Sequence, residues 1–155
     1  MDRFMKIAII EAKKGVTKGH GGPFGCVIVR KGKIIAKAHN QVIRINDPTA
    51  HAEMLAIREA SKKLKNFDLS GCELYSTSAP CPMCFSAIDW AKIKKVYYGC
   101  TKRDAAHIGF DDKHIYDIIQ GKTKKNPVTI KKGLNRKECL EVFKLWSEKE
   151  DKKKY

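Results

Sequence analysis

Four side chains in this sequence combine type and spacing in a way that bears on chemistry: His51 and Glu53, two residues apart, and Cys81 and Cys84, three apart. With their neighbours they form His51-Ala52-Glu53 and Pro80-Cys81-Pro82-Met83-Cys84, the pattern H-x-E…P-C-x-x-C. One imidazole and two thiolates are three ligands for a soft or borderline ion, and zinc suits them. Structural zinc sites close with four protein ligands, whereas catalytic ones keep a position for water. The count therefore points to a reactive centre, with Glu53 as the nearby group able to move protons.

The spacing also says which elements must carry these residues. Cys81 and Cys84 fall on one face of a helix start, where the positive helix end favours thiolates. His51 and Glu53 would lie on opposing sides in mid-helix and converge only around a ligand sitting over a helix tip. Asp47 as N-cap and Pro48 at the first helical position put both in the opening turns of a helix reaching about Leu64. Two other readings stay open for these residues. A lone Cys-x-x-Cys is compatible with redox chemistry, although that leaves His51 and Glu53 without work. A nucleic-acid-binding module with a closed structural zinc needs a fourth ligand, for which Cys72 and Cys100 are candidates, both inside expected strands.

Around these motifs the pattern alternates between helix and strand. Phe4, Ile7, Ala8, Glu11 and Ala12 follow helical spacing behind a capping Asp2, with Gly15 and Gly19 expected to break the helix. Residues 24–30 and 33–39 are β-rich runs joined by Lys31-Gly32, a hairpin signal. Residues 72–77 and 95–100 are further strands, separated by a helix that opens at Pro80–Cys84 and ends near Ala91. Residues 104–119 read as a loop with a short helix, and 127–131 as a fifth strand. Asn135 and Glu138 resemble a capping box for a last helix with Cys139, Phe143 and Trp146 on one face. The expectation is a single domain over 1–155, an α/β fold built as a three-layer α/β/α sandwich, with a five-stranded mixed sheet and the zinc site at two helix N-termini.

Composition sets the outer limits. A chain of 155 residues with 43% hydrophobic and 32% charged residues has enough apolar content to bury a core. The opening residues lack a long apolar run, and no later stretch approaches the roughly 18 apolar residues of a membrane helix, so no membrane association and a cytoplasmic location are expected. Six cysteines, two of them in one Cys-x-x-Cys pair, fit reduced thiols and a metal better than disulfides. The formal charge of +15 is the outlier; it fits a polyanion partner, or a lysine-biased solvated surface, since the lysines are spread along the chain as far as Lys154.

On these residues the chain resembles the cytidine-deaminase-like superfamily, and within it the small bacterial guanine deaminases. The likeness extends past the metal motif to Gly21-Gly22-Pro23-Phe24-Gly25, Asn40, Asn46–Glu53, Trp90-Ala91, Gly109-Phe110-Asp111-Asp112 and the terminal Tyr155. It implies zinc as cofactor and hydrolytic deamination of guanine, a small-molecule purine base, to xanthine and ammonia. It assigns the ring to a pocket made with Phe24, Asn40, the Ala52 backbone and Trp90, and gives Glu53 and Asp112 the proton transfers. It also implies a homodimer that exchanges its C-terminal segments, residues 134–155, so that Tyr155 closes the partner's pocket. Deamination of adenosine in tRNA is the alternative, with a nucleic acid as partner; guanosine, cytosine and aminotriazine are further substrates of similar chemistry. One departure is Ser78-Ala79 before Pro80, where many relatives carry Cys-Glu or Leu-Glu.

Overall fold

A computed structural model describes residues 2–154 of the chain. It divides into two compact units, one up to Tyr116 and one from Asp117 onward. The first unit begins with α1 (Arg3–Thr17), whose N-cap Asp2 accepts from the amides of Phe4 and Met5. The helix continues through Gly15 instead of breaking there. A Cβ at that position would lie 2.9 Å from the ring of His39, so glycine here permits close packing rather than a turn.

The strands β1 (Gly25–Arg30) and β2 (Lys33–His39) pair antiparallel across Lys31-Gly32, both at positive φ, as a two-residue hairpin turn requires. After the short α2 (Val42–Ile45) come α3 (Ala52–Leu64), β3 (Cys72–Ser78), α4 (Pro82–Trp90) and β4 (Lys95–Cys100). β1 and β3 are antiparallel, β3 and β4 parallel, and the sheet order is β2-β1-β3-β4. The parallel step needs a crossover, which α4 supplies.

Side-chain alternation separates the two faces of this sheet. Val27, Val29 and Tyr75 pack on one face with Ala8, Phe4, Met5 and Ile7 of α1. Cys26, Ile28, Cys72 and Leu74 pack on the other with Ala52, Ala56 and Ala60 of α3 and Ile88 of α4. Those three alanines, spaced four apart, give α3 a narrow small-residue stripe that lets it lie close against the sheet. The result is the expected three-layer α/β/α arrangement.

Four further sequence expectations are corrected. The sheet has four strands among the described residues, not five: residues 127–131 form no strand, Pro127 brings no amide to a ladder, and Val128 and Ile130 are both exposed. The region after β4 holds two helices, α5 (Lys102–His107) and α6 (Lys113–Ile119), where one was expected. In the second unit, α7 (Arg136–Glu148) does follow Asn135, but Asn135 is left-handed at φ 49° and makes no side-chain capping bond, so the capping box does not form. The fourth correction concerns the start of α3 and bears on the site.

Candidate active site

α3 begins at Ala52, not at Pro48, and His51 takes the N-cap position with extended backbone. Asp47 cannot cap the helix because its Oδ1 is engaged locally, accepting from the Thr49 amide at 2.8 Å and the Thr49 hydroxyl at 2.7 Å. The shift places His51 just before the first turn and Glu53 within it, at the helix tip where residues two apart can face one ligand. α4 is arranged in parallel fashion: Cys81 is its N-cap, Pro82 opens it, and the Cys81 sulfur accepts from the amide of Cys84 at 3.5 Å.

The two helix starts bring the three expected ligands together, with His51, Cys81 and Cys84 donor atoms all within 4.8 Å of one another. The His51 Nδ1 lies 3.6 Å from the Cys81 sulfur and 3.5 Å from that of Cys84. Tetrahedral zinc with ordinary Zn–S and Zn–N lengths requires about 3.6 Å between a sulfur and a nitrogen ligand, so the donor set fits the ion without rearrangement. The hydrogen bond to Cys84 draws the Cys81 thiol down to about 4 despite its burial, and His51 helps, while the same pairing and burial push Cys84 up. The alternative with a fourth cysteine finds no support among the described residues. Cys72 sits at the far end of β3 in the core, and Cys100 is exposed on β4.

Glu53 is 5% exposed, with Oε1 accepting from the Ser76 hydroxyl at 3.0 Å and Oε2 3.6 Å from the Cys84 sulfur. Burial pushes its carboxyl up, against the hydrogen bonds from its own backbone amide and Ser76. A carboxyl so placed holds a proton more readily than one in water, which suits general acid–base work near neutral pH.

A cavity of about 830 Å³ opens onto this centre, lined among others by Phe24, Asn40, His51, Glu53, Cys81 and Asp112. That volume lies within the range of small-molecule sites. Asn40 is buried, and its Oδ1 accepts from the amides of Gly22 and Val42 at 3.3 and 3.2 Å. Two backbone donors on the oxygen fix the amide orientation, so the group Asn40 can offer a bound molecule is its Nδ2 donor. Phe24 meets Phe110 edge to face, centroids 4.9 Å apart. A Cβ on Gly22 would come within 2.8 Å of Phe24 and 2.9 Å of Phe110, so only glycine leaves this aromatic corner intact.

Asp112 is half-buried, and its carboxyl is pushed up by burial and by the nearby Cys81 charge. Asp111, which also lines the cavity, is exposed, and its Oδ1 accepts from the Lys113 amide at 2.9 Å. The Tyr116 hydroxyl donates to the carbonyl of Pro80 at 3.0 Å, in the loop of the metal ligands.

The other expected residues fare differently. Ala52 is fully buried between His51 and Glu53 and does not line the cavity with its side chain. Trp90 is 65% exposed at the end of α4 and is not among the cavity-lining residues of its own chain, because α4 carries it a full helix length away from the Cys81 end. Tyr155 lies outside the described residues. Two further cavity residues carry no role that the sequence alone assigns. Phe110 sits inside the matched Gly-Phe-Asp-Asp run, which is the signal that could have found it. Ser78 stands out in the sequence only as a departure; it is 5% exposed, and its Oγ has no hydrogen-bond partner within the protein.

Comparison with known proteins agrees with this geometry. The zinc-binding region of cytidine and deoxycytidylate deaminases matches residues 1–100. Guanine deaminase of Bacillus subtilis is 44% identical over 154 residues, covering 99% of this chain and 98% of its own length. An X-ray structure of guanine deaminase from Bacillus subtilis superposes with a TM-score of 0.93 at 44% identity, covering 100% of this chain and 99% of that one. The tRNA-specific adenosine deaminase of Aquifex aeolicus is 52% identical over 100 residues, 64% of this chain and 66% of its own.

Proposed function

Because the chain belongs to the family that carries the cytidine and deoxycytidylate deaminase zinc-binding region, we propose that it is a zinc-dependent aminohydrolase converting guanine and water to xanthine and ammonia. The observation that carries the choice of guanine is 44% identity along 99% of the chain to a guanine deaminase, whereas the tRNA-specific adenosine deaminases reach 52% over 64% of it in Aquifex aeolicus or 37% over 90% in Buchnera aphidicola. His51, Cys81 and Cys84 hold the zinc, which when bound lowers the pKa of a water toward neutrality. Glu53 accepts a proton from the attacking water and delivers it to ring nitrogen N3. Asp112, with its raised carboxyl, holds a proton beside the departing amine. Phe24 stacks on the ring, Asn40 donates its amide to a ring acceptor, and the Ala52 backbone reads another polar edge.

The test is ammonia release from free guanine, guanosine, cytosine and aminotriazine, beside inosine formation in a tRNA anticodon stem. Guanine is expected to be consumed; inert guanine with inosine appearing in the tRNA overturns the reading in favour of the tRNA enzyme, to which the +15 charge is suited.

Residues 134–155 complete the pocket of a second copy, with Tyr155 laid over the substrate. Support comes from α7, whose apolar side chains Leu140, Phe143 and Trp146 are 41, 70 and 43% exposed and make a face suited to a partner. Removing Tyr155 is then expected to cost activity without unfolding the chain, through lost positioning and water exclusion. Co-refolding the truncated chain with Glu53→Gln should restore part of the activity, since some heterodimers regain one intact pocket. Harmless truncation, or mixing that restores nothing, rejects the exchange.

A further inference from the structure

A file of three titratable side chains runs behind the pocket wall. Glu11 of α1 and His39 of β2 are each 5% exposed, and the Glu11 carboxylate lies 3.1 Å from His39 Nδ1. His39 Nε2 lies 2.9 Å from His20 Nδ1, with the two rings stacked at 5.1 Å. Burial acts to raise the Glu11 carboxyl, but its bonds to His39 and Lys37 prevail and hold it below the ordinary range. An ionised carboxylate only accepts, so His39 donates from Nδ1. The neutral ring is then an acceptor at Nε2, and His20 must donate to it from Nδ1. Both tautomers follow from the carboxylate.

Each end of this file supports the cavity. Asn40 follows His39 directly, and the His20 carbonyl accepts from the amides of Ile43 and Arg44 at 3.1 Å each. Gly19, Gly21 and Gly22 around His20, and Val42 and Ile43 beside it, all line the cavity. We infer that Glu11, His39 and His20 form a positioning relay that sets the pocket wall and, through it, the affinity for substrate.

The guanine-dependent part of the test rests on the proposed activity and uses the zinc-loaded protein, with zinc content checked in each variant. His39→Ala is expected to raise the KM for guanine about 3–10-fold at pH 7.5 with kcat retained, the span of one lost hydrogen bond. His39→Gln, which can accept from His20 and donate to Glu11, should keep the low KM. A His39→Ala variant with normal KM, or a His39→Gln variant whose KM rises as far as that of the alanine variant, overturns the relay. Side-chain ¹⁵N NMR separates this from failure of the guanine reading, because Nδ1-protonated tautomers for both histidines at pH 7.5 are required whatever the substrate. The other tautomer at either ring rejects the relay alone.

Discussion

Glu53→Gln is expected to retain zinc and fold while kcat falls about 10²–10⁴-fold, the usual worth of a positioned general acid–base. The substitution suits the site sterically. The amide oxygen can still accept from Ser76, as Oε1 does at 3.0 Å, and the amide nitrogen replaces Oε2 beside the Cys84 sulfur. What is lost is the capacity to take a proton and pass it on. Metal analysis and thermal unfolding of the variant check that nothing else changed, and turnover within about threefold of wild type rejects Glu53 as the proton carrier.

Removing the metal is expected to abolish turnover altogether, with recovery on adding about one equivalent of zinc per chain. His51 and the two cysteines sit at the starts of different helices, so the ion also ties α3 to α4, and a chelator should lower the thermal midpoint as well as activity. Each ligand must be deprotonated to bind, so zinc uptake should release protons and weaken as pH falls. X-ray absorption showing a one-nitrogen, two-sulfur set supports the assignment. Four sulfur ligands, or full activity in metal-free protein, counts against it.

The metal centre is legible in the sequence because ligand chemistry leaves a direct imprint on residue spacing. Cys81 and Cys84 must be three apart to share a helix face, and His51 and Glu53 must sit at a tip to share a ligand. Strands β1 and β2 are legible for a similar reason, through alternation and a glycine turn. The start of α3 is not, because an Asp-Pro-Thr run supports either a helix cap or a local turn, and only the Asp47–Thr49 hydrogen bonds decide between them. Residues 127–131 have strand composition, yet composition cannot say whether a neighbouring edge is there to pair with. The Glu11–His39–His20 file leaves no trace at all, since its members are 28 and 19 residues apart and no short motif spans them.

The Ser78 hydroxyl has a meaning for anyone seeking a hardier version of this protein. A hydroxyl to which the protein offers no partner contributes no hydrogen bond of its own to folding, so its place at the cavity wall is not explained by stability. Stability screens that score folding alone will therefore accept alanine there, at a position bordering the reacting centre. Such trade-offs concentrate where proteins handle ligands, and selection for heat resistance at Ser78 should be paired with a readout of turnover.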